Sequence, residues 1–326
     1  MPKEVYAFKN NRDILLKSSS GGAFWAVLEA CYRKSNNEVT VYGAMFDDKF
    51  RVVHNAAYTL EECAPFRGSK YVRSDTRNSY IEIEDELVQG KTVLFSGTPC
   101  QVAALKTRLS NKGIDTKKLY VVDVICHGTP RAEYWESYKT WIEKKYGSEF
   151  SEVSFRDKSN PGAKYSMRIA MKNGRVLVNK LETALFTRLF LRRLIMEEGC
   201  YKCPFANLHR HGDITLGDFW GIEKVMPDFP EKDGVSLVLV NTDKGSALID
   251  EVKRAAEEDN KIIKQCFSDG YIEYQNNLQK AAERPGNTDI FKAEYKQKGF
   301  DYIVKKYAGY SFVGRMKHKV KKLLNK

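Results

Sequence analysis

The sequence predicts an α/β fold: a mixed or parallel sheet core with helices on both sides, plus an α+β C-terminal region. Two short apolar runs, Thr92-Val93-Leu94-Phe95 and residues 120–125, each pass through a turn into a helical stretch. Strand, turn and helix repeated with short connections is the grammar of a parallel sheet. After about residue 150 the grammar changes: residues 167–171 and 176–178 alternate apolar and polar, with Asn173-Gly174 between them. Asn-Gly flanked by alternation signals an antiparallel hairpin. At 326 residues and 42% hydrophobic content, the chain can bury one large core or two ordinary ones.

The elements follow in order. Residues 22–34 read as a helix, opened by the small polar run Ser18-Ser19-Ser20-Gly21-Gly22. Residues 40–46 read as a strand, Asp47-Asp48 as a turn, and residues 52–57 as the returning arm of a hairpin. Residues 77–89 look helical. The strand from Thr92 ends in Ser96-Gly97-Thr98-Pro99-Cys100; Pro99 suits the first turn of a helix, which residues 101–109 continue. The strand over 120–125 ends in a similar turn, Cys126-His127-Gly128-Thr129-Pro130. Beyond it Tyr134, Tyr138, Trp141 and Ile142 share one helical face. Residues 182–197 read as an apolar helix carrying Arg188, Arg192 and Arg193. Residues 200–221 hold a cysteine segment and a strand, 235–240 a further strand, and Asn241-Thr242-Asp243 caps a helix running to about 258. The expected division is an N-terminal α/β part over 1–130, an α+β part with the cysteine segment over 131–300, and a basic tail over 301–326.

Composition excludes several classes. No stretch approaches the roughly 18 apolar residues of a membrane span, and Met-Pro-Lys-Glu-Val-Tyr does not open a signal peptide. A cytoplasmic protein is the expectation. Seven cysteines, an odd count in a long chain, argue against a disulfide framework. The formal charge of +12 is concentrated at the end, where residues 315–326 carry six basic side chains and no acidic one. Val313, Met316, Val320, Leu323 and Leu324 fall on one helical face there, which suits an interfacial helix at the inner face of the membrane. A solvated basic end explains the same residues. Nucleic-acid binding is disfavoured, because no basic–aromatic interleaving accompanies the charge.

The sharpest chemical signal is Cys200-Tyr201-Lys202-Cys203-Pro204. Two thiolates three residues apart can grip one metal centre. The motif fits half a zinc site, a redox dithiol or half of an iron–sulfur ligand set, and the second CxxC of a zinc ribbon is missing. Cys100 and Cys126 follow two parallel strands, at the edge where open α/β sheets bind ligands. With the pair they make four thiols, the number a cubane cluster needs. Alternatively Cys100 is a catalytic thiol at a helix N-terminus with His127 as its base. Cys31, Cys63 and Cys266 have no ligand-like surroundings.

Ser19, Ser20, Gly21 and Gly22, then Gly68-Ser69-Lys70-Tyr71, then Ser96-Gly97-Thr98 supply small residues, hydroxyls and a cation. That suits an anionic dinucleotide, although neither GxGxxG nor a P-loop occurs. In Asp213-Ile214-Thr215-Leu216-Gly217-Asp218-Phe219-Trp220-Gly221, Asp218 and Trp220 can line a planar ring, or the two aspartates can cap turns around a core tryptophan. His127 and Asp218 are the catalytic candidates. His209, Arg210 and His211 read as surface or phosphate contacts; zinc held by the two histidines with the cysteines is a weaker alternative.

Taken together, six ordered segments resemble the coenzyme F420-reducing hydrogenase/dehydrogenase beta-subunit family: the serine–glycine run, Gly68-Ser69-Lys70-Tyr71, Phe95 to Gln101, Asp123 to Gly128, Cys200 to Phe205, and Asp213 to Gly221. They cover roughly residues 15–300. The resemblance implies FAD, surrounded by Ser19, Ser20, Gly21, Gly22, Ser69, Lys70, Tyr71, Ser96, Gly97 and Thr98. It implies a [4Fe-4S] cluster held by Cys100, Cys126, Cys200 and Cys203. It also implies electron transfer between a hydride-carrying donor or acceptor and an iron–sulfur partner. Many members begin with a ferredoxin-like run of repeated CxxC motifs, absent here because the first cysteine is Cys31; a separate ferredoxin-like protein is then the expected partner. Bacterial members implicate a sugar-linked substrate in surface-polysaccharide biosynthesis. The alternative is a non-redox protein, stabilised by zinc or working as a degenerate scaffold.

Overall fold

The computed structural model describes residues 1–159 and 167–311, with Gly314 and Met316. The amphipathic reading of the tail falls otherwise outside the described residues. In chain order the elements are β1 (Glu4–Lys9), α1 (Arg12–Leu16), α2 (Ala23–Lys34), β2 (Val39–Phe46), β3 (Val52–Ala57), α3 (Ser79–Val88), β4 (Thr92–Gly97), α4 (Pro99–Asn111), β5 (Leu119–Val124), α5 (Ala132–Tyr146), β6 (Phe150–Ser154), β7 (Arg168–Met171), β8 (Val176–Val178), α6 (Leu181–Leu191), β9 (Ile214–Asp218), α7 (Ile222–Val225), β10 (Ser236–Val240), α8 (Asp243–Arg254), β11 (Ile262–Gln265) and α9 (Thr288–Tyr307). The expected class holds: an eight-stranded mixed sheet with helices, ordered β11-β1-β10-β9-β5-β4-β2-β3.

The chain forms two compact units. The first comprises residues 1–68, 74–127 and 203–281 and holds the large sheet. Its centre is parallel: β2 beside β4, β4 beside β5, β5 beside β9. Because both faces are buried, the strands alternate between two cores. Leu94 and Val122 pack with α2 and α8 residues such as Leu28 and Leu248, while Val93, Phe95 and Val121 pack with Leu105 and Leu109 of α4. Toward the other edge β10, β1 and β11 run antiparallel, over a third cluster with Phe219, Phe229 and Tyr271. The expected hairpin of β2 and β3 is present in register Phe46 to Val52.

The second unit comprises residues 69–73, 128–202 and 282–326. It contains the three-stranded sheet β6-β7-β8, whose last two strands form the Asn-Gly hairpin. Its core is aromatic: the Trp135 ring lies 5.2 Å from Phe155 and 5.3 Å from Phe186.

Several boundaries differ from expectation, each for a local reason. Helix α6 ends at Leu191 rather than 197, because Arg193 turns into the left-handed region at φ 60°. Arg188 and Arg192 donate to the carbonyls of Ala308 and Tyr307 and so close the end of α9. Strands β1 and β11 and helix α9 carry no sequence expectation. Helix α9 is broken at Gly299 (φ 73°, ψ −179°), which interrupts its apolar period.

Candidate functional site

Register places most of the singled-out motifs of the first unit along one edge of the sheet. Cys100 follows the carboxyl end of β4, Cys126 and His127 follow β5, and Asp218 ends β9. These strands are parallel, so their carboxyl ends share that edge. Ser236, which begins antiparallel β10, pairs with Asp218 on one side and with Phe8 near the end of β1 on the other. The serine–glycine run is fastened there. Ser20 Oγ donates to the Val235 carbonyl at 2.8 Å, and Ala23 N–H to Ser236 Oγ at 3.4 Å.

Gly21 is a glycine for packing reasons. A Cβ would stand 2.2 Å from the Phe8 carbonyl oxygen and 2.4 Å from Ser236 N. Gly22 caps α2 at φ 84°. At Gly68, by contrast, a Cβ would meet, among the described residues, Ser19 Oγ at 4.0 Å, with φ +80°. Backbone that open can be approached by a phosphate. Thr98 starts α4: its amide and hydroxyl both donate to Gln101 Oε1 at 3.0 Å, and Gln101 Nε2 donates to Ser74 Oγ at 2.9 Å. Thr98 Oγ1 lies 3.1 Å from Cys100 Sγ. Ser96 carries its carbonyl 3.0 Å from His54 Nε2.

The remaining flavin candidates belong to the second unit. Tyr71 is built into its aromatic core, 5.4 Å from Phe155 and 5.5 Å from Phe190, and Arg156 donates to its hydroxyl at 3.2 Å. Desolvation pushes the Lys70 ammonium down to about 7 although its surface is half-buried. Ser69 is exposed.

The thiols separate into two groups. Cys31, Cys63 and Cys266 are buried, and burial raises them, Cys31 to about 12 and Cys63 to about 11. Cys100, Cys126, Cys200 and Cys203 all reach the surface. In the first unit, the loop that begins at Cys203 lies over α4. An open groove of about 650 Å³ is lined by Cys100, Ala103, Ala104, Thr107 and Phe205, and Lys106 donates to the His211 carbonyl at 3.0 Å. In the second unit, Cys200 Sγ accepts from the Thr129 amide at 3.5 Å. Gly128, at φ +107°, permits that approach; a Cβ would meet Met196 Cε at 2.0 Å. Glu198 anchors the same turn through Lys292 and Arg284, which hold its carboxyl below the usual range.

The catalytic candidates sit at the same edge. His127 Nδ1 lies 3.3 Å from Asn277 Oδ1, and the Asp218 carbonyl accepts from Gln275 Nε2 at 3.0 Å. The side chain of Trp220 is partly exposed, and the ring of Tyr274 lies against Gly221. Asp213 is structural: buried, it accepts from the Val121 amide at 2.8 Å and from Thr242 Oγ1 at 2.6 Å.

Arg210 overturns its surface reading. Its side chain is 1% exposed and pairs with fully buried Asp123 at 3.1 Å. The sequence signal for this pair was a carboxylate inside an apolar strand, Val121-Val122-Asp123-Val124, where a charge demands a partner. Histidines 209 and 211 face one another with ring centroids 5.7 Å apart. Burial, then His209, lowers the His211 imidazole.

Residues 90–275 match the family model that describes the C terminus of the coenzyme F420 hydrogenase/dehydrogenase beta subunit, over more than half of the chain. The chain belongs to this family. Its named members are subunits of redox enzymes. No curated protein matches it closely enough to report a relative. Among solved structures, the F420-reducing [NiFe] hydrogenase complex from Methanosarcina barkeri, a xenon derivative, aligns with a TM-score of 0.54 and 16% identity. That alignment covers 91% of this chain and 93% of the other and shows a shared fold.

Four accessible thiols are the donor set a cubane cluster takes. Among the described residues, no three His, Cys, Asp or Glu side chains are gathered closely enough to hold a metal ion. The donor chemistry fits the group. Among the described residues no helix is long and apolar enough to cross a membrane.

Proposed function

We propose that this family member is a flavin-dependent oxidoreductase that uses FAD and one [4Fe-4S] cluster. It passes electrons between a hydride-carrying donor or acceptor and a ferredoxin-like partner, with a sugar-linked substrate of surface-polysaccharide biosynthesis. The observation that carries the reading is the sorting of the cysteines. The four thiols of the family-like segments are the four that reach the surface, while the other three are buried.

Cys100, Cys126, Cys200 and Cys203 would hold the cluster. Ser19, Ser20, Gly21, Gly22, Ser69, Lys70, Tyr71, Ser96, Gly97 and Thr98 would surround the flavin. When bound, the flavin supplies the exchange between two-electron and one-electron chemistry. The chain's own contributions are simpler. The open backbone at Gly68 and the hydroxyl of Ser19 can meet a phosphate. Lys70, titrating near neutrality, can donate a proton or add a charge. His127 and Asp218, at the edge where β5 and β9 end, are the groups for proton transfer to a substrate.

Purification without oxygen, followed by flavin, iron and zinc analysis, tests the reading. A brown protein with flavin and cluster absorbance is expected. Cys203→Ala should lose iron and the associated visible absorbance while retaining the fold. A colourless, iron-free chain would overturn the proposal, and zinc without flavin would favour a non-redox, zinc-stabilised protein.

A further inference from the structure

Arg210 spends its whole donor complement on one task. Guanidinium has five N–H bonds in a fixed fork. Nε donates to Thr215 Oγ1 at 3.3 Å. Nη1 donates to the carbonyls of Phe205 at 3.0 Å and Asn207 at 3.2 Å. Nη2 donates to Asp123 Oδ1 and to the Val124 carbonyl, both at 3.1 Å. Asp123 completes the clamp with its second oxygen, which accepts from the Gly212 amide at 3.1 Å. No side chain other than glycine fits at 212, where a Cβ would stand 2.8 Å from the Ile214 carbonyl oxygen and 2.9 Å from Asp123 N.

These bonds join two segments. One is the loop that follows Cys203, held at residues 205, 207, 210 and 212. The other is the carboxyl end of β5, two residues before Cys126. A buried ion pair brings little net stability, because desolvation offsets the attraction; its value lies in geometry. We infer that Arg210, locked by Asp123, is a positioning residue that sets the placement of the Cys203 loop against the Cys126 turn. The inference rests on the reading of these thiols as one functional edge, and Arg210 acts through the loop without touching a sulfur.

The test reads thiol placement directly. The full chain, stripped of metal with a chelator under reducing conditions, is pulsed with iodoacetamide in wild-type, Arg210→Lys and Asp123→Asn forms. Trypsin cleaves after Lys202 and Arg210 and so puts Cys200 and Cys203 on separate peptides. Lysine keeps the charge but loses the fork, so Cys203 should be alkylated about tenfold faster in Arg210→Lys while Cys31, Cys63 and Cys266 stay unreactive. Those three buried thiols report folding. If they become reactive in Arg210→Lys, Asp123→Asn, which keeps the shape and one acceptor oxygen, is the deciding variant. Unchanged Cys203 alkylation in a variant whose buried thiols stay protected would overturn the inference. Because the readout is a rate on metal-free protein, it stands apart from the cofactor reading, which fails separately if the wild-type chain carries neither iron nor flavin.

Discussion

At the scale of single residues, environment decides which of several identical groups is available for chemistry. Seven cysteines are chemically equal in the sequence, yet desolvation disfavours the thiolates of Cys31, Cys63 and Cys266 and leaves four accessible. The same effect acts on Glu86, whose Oε1 accepts from the Thr40 hydroxyl at 3.2 Å and whose pKa burial raises. A raised carboxyl contributes stability below its unfolded pKa and loses that contribution as pH rises through the folded value. Glu86→Gln should therefore raise Tm at neutral pH by on the order of 1–3 °C and flatten the loss of stability between mildly acidic and neutral pH, read by thermal unfolding. Lys70 titrates in the opposite sense. Its ammonium is held down to about 7, so it gains charge as pH falls through neutrality. If FAD binds as proposed and the ammonium meets a phosphate, flavin affinity measured by fluorescence quenching should rise by up to about tenfold per unit as pH falls toward about 7 and level off below it, where Lys70 is already charged. Lys70→Met should abolish that pH dependence.

At the scale of elements, the serine–glycine run teaches caution about motifs. Read as sequence, Gly21 and Gly22 suggest a phosphate cradle. In the fold, Gly21 lets the start of α2 approach β1 and β10, where no Cβ fits. Gly21→Ala should destabilise the protein by about 1–3 kcal/mol in denaturant unfolding, whether or not a ligand binds. At Gly68 the requirement is conformational instead: among the described residues a Cβ meets only Ser19 Oγ, but φ +80° strains any other residue. The start of α4 depends on Thr98 and Gln101, which cap it and tie it to Ser74. Thr98→Ala should cost about 1 kcal/mol. Helix α9, which carried no sequence expectation, has its apolar period broken at Gly299, and the sequence reading of helices leaned on that period.

At the scale of the whole molecule, the large sheet closes only when distant parts of the chain meet. Strand β1 pairs with β10 and β11 on its two edges, more than 200 residues away in sequence. A fragment ending at residue 230 leaves β1 unpaired on both sides and should show no cooperative unfolding transition by circular dichroism. Long-range pairing of this kind also predicts slow folding. The shared fold with a hydrogenase complex chain at 16% identity follows the same logic. Topology persists because burial and register are satisfied by many side-chain combinations.

What the sequence determined by itself was local and periodic. It showed the parallel strands β4 and β5 with their cysteine turns, the two hairpins, the Pro99 start of α4, the capped start of α8, and the CxxC pair. Each of these is written in neighbouring residues, as an apolar run, an Asn-Gly turn or an N-cap. Tertiary structure decided what depends on distant partners. Antiparallel β1, β10 and β11 needed pairing across the chain. Arg210 read as a surface cation until Asp123, 87 residues away, became its buried counterion. The four thiols were already set apart by their motifs, and the fold added that they reach the surface while the other three are buried. Desolvation and hydrogen-bond completion are properties of the surroundings, and the fold alone supplies those.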